Sequence, residues 1–579
     1  MNYYTTEKAV QVLISLLKQH GISKIIASPG STNMGFVASL QRDPYFEMFS
    51  AVDERSAAYM ACGLAAESGE PVVISCTGAT ASRNYMPGQT EAYYRKLPIL
   101  AVTGTQAVSK VGHHVAQVID RSVMPNDVAT LSVNLPIVKD SDDIWECEIK
   151  TNQAILALKR HGGGPVHLNL PTTYSHDYSV KELPQYRKME RITTRDCFPD
   201  LPSGTIAVFI GSHLRWDQVS TDLLDQFCKS NNAVVICDHT SGYYGKYRVQ
   251  YALAGCQNAF DGNVNQPELS IHIGEVTGDY YGSRLGGKRV WRVSLDGELR
   301  DTFRKLTHVF EMSESEFFAH YSKEVSNTQC DYFESCSQEV QQLRSQIPDV
   351  PFSNIWLASQ MAHRIPQHSV VHFGILNSLR AWNFYDLPKT VTAASNVGGF
   401  GIDGGLSSVV GASFANRDKL YYCVIGDLAF FYDMNIIGNR HLGNNLRILL
   451  VNNGKGTEFR QYGKVSDRFG EELDRFVAAA GHFGNKSKSL VKHYAEDFGF
   501  EYITASNKME FSQSYERILT PEITDKPILF EVFTESDEET KALELIMGIK
   551  KESKHTAAKQ LAKSMLGDKS VRLIKKIVK

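Results

Sequence analysis

Short, unbroken apolar runs recur along the chain with helix-length polar-patterned stretches between them. In the first third, Lys24-Ile25-Ile26-Ala27, Pro71-Val72-Val73-Ile74-Ser75 and Pro98-Ile99-Leu100-Ala101-Val102 are such runs. A run of four to six apolar residues with no alternation predicts a strand covered on both faces, and strands alternating with helices predict a parallel sheet. This first block closes near Pro165-Val166-His167-Leu168-Asn169-Leu170-Pro171. A charged connector over about 178–195 leads to a second set, 205–211, 233–238 and 269–274, with the same buried-strand character. The stretch 313–346 is polar and helical, and it leads to a third α/β block over 350–536. Two similar blocks flanking a third predict a duplicated architecture.

The expected organisation is therefore α/β: three doubly wound parallel-sheet domains at 1–178, 196–345 and 350–536, followed by a basic helical tail at 537–579. The tail carries Lys550, Lys551, Lys554, Lys559, Lys563, Lys575 and Lys576. It is expected as a solvated helix, with contact to an anionic membrane as the weaker reading. Composition narrows the class. A net charge of −3 offers no basic excess for nucleic acid. The ten cysteines show no CxxC pair and no His/Cys cluster at zinc spacing, which predicts reduced thiols in a cytoplasmic protein. The N-terminus has no basic start followed by an apolar core, and no run reaches the roughly 18 apolar residues of a membrane span.

Candidate chemistry begins in the third block. Tyr421-Tyr422-Cys423-Val424-Ile425 runs into Gly426-Asp427, and Leu446-Arg447-Ile448-Leu449-Leu450-Val451 runs into Asn452-Asn453-Gly454. The pattern predicts a carboxylate and an amide oxygen at the C-terminal ends of two parallel strands, where open α/β sheets bind ligands. Hard oxygen donors of this kind suit Mg²⁺ completed by phosphate and water. A second feature is Asp53-Glu54-Arg55 ahead of a small-residue stretch, Ser56 to Ala65. Asp53 is a helix cap, and Glu54 alone would serve only the helix dipole.

Taken together, Asp53-Glu54-Arg55 and the late Gly-Asp…Asn-Asn module resemble the thiamine diphosphate enzymes, from about residue 5 to residue 540. Within that superfamily the chain is most similar to the menaquinone-pathway 2-succinyl-5-enolpyruvyl-6-hydroxy-3-cyclohexene-1-carboxylate synthases. The residues carrying this likeness are Ser28-Pro29-Gly30-Ser31, Gly164 to Asn169, Ser395-Asn396, Gly401-Ile402-Asp403-Gly404, Gly426-Asp427-Leu428 and Tyr432 to Asn435. The resemblance implies a pyrimidine-binding, a central and a diphosphate-binding domain. It implies thiamine diphosphate and Mg²⁺ as cofactors, with Asp427, Asn453 and the Lys455 carbonyl as metal ligands, and the helix after Gly426 lending its dipole to the diphosphate. Glu54 matches the residue that hydrogen-bonds the aminopyrimidine. In the family Glu54 and Asp427 come from different subunits, so a homodimer or homotetramer is implied. Gly399, Phe400 and Gly401 match positions beside the cofactor, where Phe400 either wedges under it or packs in the core.

The substrate positions depart from the synthases. Their arginines after Ser-Pro-Gly-Ser and after Ser-Asn, and a third further on, are here Thr32, Val397 and Phe414. None of these can replace a bidentate guanidinium on a carboxylate. His113-His114 lies where similar decarboxylases carry a proton-shuttling pair, with a surface loop as the plain alternative. Gln117 resembles a glutamine near the cofactor, and Glu458 is a candidate acid/base just past the metal motif, with a surface carboxylate as its alternative. The implied activity is decarboxylation of a 2-oxo-acid donor with transfer of the acyl anion to a carbonyl acceptor. Simple decarboxylation to an aldehyde is the alternative, and a non-catalytic cofactor-binding paralogue a second one. Gly211-Ser212 and Gly274-Glu275 end strands without a complete GxGxxG, which argues against a dinucleotide in the second block.

Overall fold

A computed structural model describes residues 3–322, 330–461, 468–482 and 487–550. The chain forms two compact units. The first comprises Met1–Phe198 with Leu295–Glu311, and the second comprises Pro199–Ser294 with Met312–Lys579.

In the first unit, six parallel strands form one sheet: β1 (Lys24–Ala27), β2 (Glu47–Ser50), β3 (Val72–Cys76), β4 (Ile99–Thr105), β5 (Leu131–Asn134) and β6 (Val166–Pro171). Their spatial order is β2-β1-β3-β4-β6-β5. β3 and β6 are buried at every position; β3 accordingly reads as an apolar run, whereas β6 alternates apolar residues with His167 and Asn169, whose side chains are hydrogen-bonded to Thr103 and Asn134. The edge strand β2 is only partly covered and has no such signature. The helix Lys8–Gln19 lays Val10, Leu13, Ile14 and Leu17 into the core on one face of the sheet. The helix Glu54–Ser68 covers the other with Ala57, Ala58, Ala61 and Ala65. Two further strands of this unit, β7 (Glu190–Thr193) and a later strand at Leu306–Glu311, pair in parallel.

In the second unit, β8 (Ile206–Ile210), β9 (Ala233–Cys237), β10 (Arg248–Val249), β11 (Leu269–Ile273) and β12 (Arg289–Ser294) lie in the order β10-β9-β8-β11-β12. With the Leu306–Glu311 strand taken as β13, the last sheet comprises β14 (Val370–Phe373), β15 (Thr392–Ser395), β16 (Tyr421–Gly426), β17 (Leu446–Asn452), β18 (Glu501–Ala505) and β19 (Ile528–Phe533). Its order, β15-β14-β16-β17-β19-β18, repeats that of the first sheet strand for strand, and both are parallel throughout. Three parallel α/β sheets and the duplicated plan are as the apolar runs predict.

The C-terminal segment differs from the solvated tail expected from residue 537. The helix Ser536–Met547 buries Glu539, Ala542, Leu543 and Ile546, and the Gln257 amide donates to the Ile546 carbonyl at 2.9 Å. Its apolar positions thus complete a core. The lysines from Lys551 onward lie outside the described residues. Among the described residues no helix is long and apolar enough to cross a membrane.

Candidate active site

In each flanking sheet the strand order reverses beside the first strand, between β1 and β3 and between β14 and β16. At such a point the loops leaving two neighbouring strands diverge and open a crevice. Of the predicted residues, Thr32 follows β1 and Asp427 follows β16; the others leave the C-terminal ends of further strands, Glu54 after β2, His113, His114 and Gln117 after β4, Phe400 after β15, and Asn453, Lys455 and Glu458 after β17.

In the first unit, the loop after β1 carries Ser28 to Thr32, and the loop after β3 carries Thr77 and Gly78. The two are tied by a 2.5 Å bond between the Thr32 and Thr77 hydroxyls, and Thr32 Oγ1 also accepts from the Gly78 amide at 3.1 Å. Thr32 is buried, so the position where the synthases place arginine is here a strut between two loops. Glu54 opens its helix one residue after Asp53, whose carboxylate caps it by accepting from the Ser56 amide at 2.9 Å. The Asn84 amide donates to Glu54 Oε2 at 3.3 Å. Glu54 is half-buried, and its neighbours Val52, Tyr59 and Met60 are exposed, Val52 at 83%. His113, His114 and Gln117 are all exposed, on the long loop after β4. His114 and Gln117 have positive φ, 56° and 63°. A Cβ on Gly78 would lie 3.3 Å from the Gln117 carbonyl, so this loop runs close against the β3 loop. A cavity of about 670 Å³ in this unit, lined by Lys96, Arg160, His161 and Arg191 among others, involves none of the predicted site residues.

In the second unit, Asp427 follows Gly426 directly at the end of β16 and is 5% exposed. Its carboxylate accepts from the Leu428 amide at 2.9 Å and from the Gly454 amide at 2.7 Å. Gly454 delivers that amide from a left-handed conformation, φ 78°, which a side chain would resist. Burial pushes the Asp427 carboxyl up to about 7, against the pull of those amides. Beside it, Asn453 Oδ1 is a buried acceptor with no hydrogen-bond partner among the described residues. The Lys455 carbonyl accepts from the Thr457 amide at 2.9 Å and keeps its second lone pair, while the Lys455 ammonium is drawn off to Asp474 at 2.8 Å. A buried carboxylate held short of charge and an orphaned amide oxygen are the donors a small hard cation would satisfy, so these residues fit Mg²⁺.

Glu458 opens a short helix, Glu458–Gln461, and forms an ion pair with Arg380 at 2.5 Å. Burial raises its pKa and the adjacent Arg380 cation opposes the rise. With its NH₂ turned toward the carboxylate, Asn377 also donates to Glu458 at 2.8 Å. Arg380 lies over the Tyr280 ring, 4.8 Å from its centroid, and the Tyr280 ring in turn packs on Phe400 at 6.0 Å. Gly399, Phe400 and Gly401 sit in the loop after β15. A Cβ on Gly399 would meet nothing within 4 Å, and Phe400 has φ 56°. Glu458 is therefore a partly buried, paired carboxylate and not the surface group that was its alternative. Val397 is buried, and Phe414 is partly exposed under the Arg417 guanidinium, 4.8 Å from its ring.

Asn377, Arg380 and Tyr280 were not anticipated. Asn377 and Arg380 stand on a six-residue helix, Asn377–Trp382, entered through Leu376 at φ 65°, ψ −121°. No sequence rule assigns a leucine to that conformation, which only glycine adopts freely.

Comparison with known proteins defines the class. Residues 7–124 match the family described as "Thiamine pyrophosphate enzyme, N-terminal TPP binding domain". Along nearly its whole length the chain is similar to a more particular group. It is 29% identical over 575 residues to the 2-succinyl-5-enolpyruvyl-6-hydroxy-3-cyclohexene-1-carboxylate synthase of Bacteroides fragilis, covering 93% of this chain and 98% of that protein. The synthase of Desulfotalea psychrophila is 26% identical, with 89% and 96% covered. Among solved structures, a thiamine diphosphate-dependent 4-hydroxybenzoylformate decarboxylase of Rhodococcus jostii RHA1 aligns over 92% of this chain and 99% of that one. Its identity is 17% and its TM-score 0.41. The resemblance read from Glu54 and the Gly-Asp…Asn-Asn module is thus borne out: residues 7–124 match the N-terminal domain of thiamine pyrophosphate enzymes, and the chain is similar to these synthases along nearly its whole length.

Proposed function

We propose that the chain is a Mg²⁺- and thiamine diphosphate-dependent enzyme that decarboxylates a 2-oxo acid and transfers the acyl anion to a carbonyl or enone acceptor. The observation that carries this reading is the pair formed by Asp427 and the unpartnered Asn453 Oδ1 at the end of adjacent strands. Asp427, Asn453 and the Lys455 carbonyl would hold the metal against a diphosphate. When bound, the cofactor supplies the electron sink for loss of carbon dioxide. Glu54 would be supplied by a second copy of the chain, its carboxyl able to hold or move a proton at the cofactor's ring. The exposed Val52, Tyr59 and Met60 around Glu54 support coverage by such a partner in a homodimer or homotetramer. Glu458, partly buried and hydrogen-bonded, is poised to give or take a proton at the reacting carbon, and Arg380 orients it.

Carboligation is favoured by the similarity to ligases along the whole chain. The buried strut at Thr32, the buried Val397 and Phe414 leave three of the synthases' carboxylate clamps without a cation, which favours an acceptor with less negative charge than theirs. Simple decarboxylation to an aldehyde is the second reading, favoured by the exposed His113 and His114 on the β4 loop. Incubation with pyruvate and with 2-oxoglutarate, without an acceptor, separates the two. Slow carbon dioxide release that an aldehyde or enone accelerates supports the ligase, and rapid release with no acceptor rejects it. No release from any 2-oxo acid in a panel would favour a non-catalytic paralogue.

A further inference from the structure

The second unit has a cleft of about 370 Å³ whose lining includes none of the residues assigned above to cofactor or substrate. It opens beyond the C-terminal ends of the paired strands β8 and β9. Arg215 and Trp216 come from the loop after β8, and Tyr244 and Lys246 from the loop after β9. Lys389 joins them from the segment that precedes β15. Gly242 lets the two loops meet: it has φ 66°, and a Cβ there would stand 2.3 Å from the Leu214 carbonyl oxygen.

The charge in this cleft is predominantly positive. Arg215, Lys246 and Lys389 are three cations, and none forms an ion pair among the described residues. Arg215 instead faces the Tyr244 ring, 5.8 Å from its centroid, and Arg248 lies 5.0 Å from the same ring. The one carboxylate in the lining, Asp225, is already engaged, since it accepts from the Tyr243 hydroxyl and from the Lys246 backbone amide, the latter at 3.1 Å to each oxygen. The repulsion reaches Lys419, whose pKa is lowered by burial and by Arg215. A neutral donor is also left over: Trp216 is 8% exposed, and its indole N–H has no partner among the described residues. Three exposed cations against one carboxylate give the cleft a net positive charge, which attracts an anion.

We infer that this cleft is a binding site for a phosphate-bearing small molecule, separate from the thiamine diphosphate cleft. A phosphate offers Arg215 a bidentate face, and its remaining oxygens meet Lys246 and Lys389. The volume is at the small end of ligand pockets, so it suits a phosphorylated metabolite and not a dinucleotide.

The test uses the full chain saturated with thiamine diphosphate and Mg²⁺, so that the catalytic cleft is filled. Inorganic phosphate is titrated by calorimetry, with citrate in a parallel arm to distinguish phosphate from polycarboxylate recognition. One phosphate per chain is expected, weakened by at least about tenfold in Lys246→Gln/Lys389→Gln and by a similar factor in Arg215→Gln, with thiamine diphosphate affinity unchanged in both. All three side chains are exposed, so these variants should keep the fold, which circular dichroism checks. Absence of saturable phosphate binding to the unaltered chain, unchanged affinity in both variants, or tighter binding of citrate than of phosphate would each overturn the proposal.

Discussion

The two flanking sheets have the same strand order and carry their functional loops at the C-terminal ends of strands, yet they finish the job differently. At the end of β16, Asp427 is buried and its carboxylate is gripped by two backbone amides. In the first sheet, after the edge strand β2, Glu54 is half-buried with one amide at 3.3 Å, and apolar side chains around it face solvent. Even a detail of the backbone is repeated. Ala79 enters the helix carrying Asn84 at φ 56°, ψ −130°, and Leu376 enters the helix carrying Asn377 at nearly the same angles. The proposed ion site is thus closed by its own backbone while the Glu54 surface is left open, the asymmetry that the proposed pairing of the two across subunits requires.

The largest effect should come from the open surface at Glu54. Glu54→Gln is expected to lower turnover by about 10³-fold or more while thiamine diphosphate and Mg²⁺ still bind, as equilibrium dialysis would show; near-normal turnover would remove Glu54 from the chemistry. Asp427→Asn keeps the size of the side chain and loses its charge. Cofactor affinity should fall by about a hundredfold and recover in part at high Mg²⁺, whereas unchanged affinity would refute the ion site.

A smaller change sharpens the role of Glu458. Its acid form persists to higher pH than that of a free glutamate because burial raises its pKa, while the Arg380 cation holds it down. If the acid form donates the proton, activity falls as pH climbs through that pKa. Arg380→Ala removes the opposing cation, so the alkaline limb should move to higher pH; a limb that stays put would separate Glu458 from it.

The smallest effect concerns the frame. His167 sits between the Thr103 and Ser132 hydroxyls, each at 2.8 Å, and burial lowers its pKa to about 3. The unfolded chain takes up that proton near pH 6.5 and the folded chain does not, so stability should decline as pH falls below 6.5, by at most about 1.4 kcal/mol per pH unit for this group. His167→Gln should make that decline shallower in denaturant titrations at pH 6.5 and 5.

How much of this was legible follows from burial. β16 and β17 are covered along nearly their whole length and announced themselves as apolar runs, so Asp427 and Asn453 could be placed from sequence. β14 and β15 are short and partly covered, with alternating or no apolar pattern, and they passed unnoticed together with the helix that carries Arg380. The departures at Thr32, Val397 and Phe414 were readable as missing arginines, but only the structure shows that Thr32 is a loop strut. The C-terminal helix was misjudged because the lysines beyond it, from Lys550 on, outweigh a narrow apolar face, Ala542, Leu543 and Ile546, that proves to be buried.

The central claim is that Glu54 and Asp427 act on one cofactor from two copies of the chain. Glu54→Gln and Asp427→Asn chains, each inactive alone, can be co-expressed with different tags and the mixed oligomer isolated through both. Such a dimer pairs one doubly altered site with one unaltered site, so the account predicts recovery of about half the activity of the unaltered dimer. A mixed oligomer that stays inactive would contradict it.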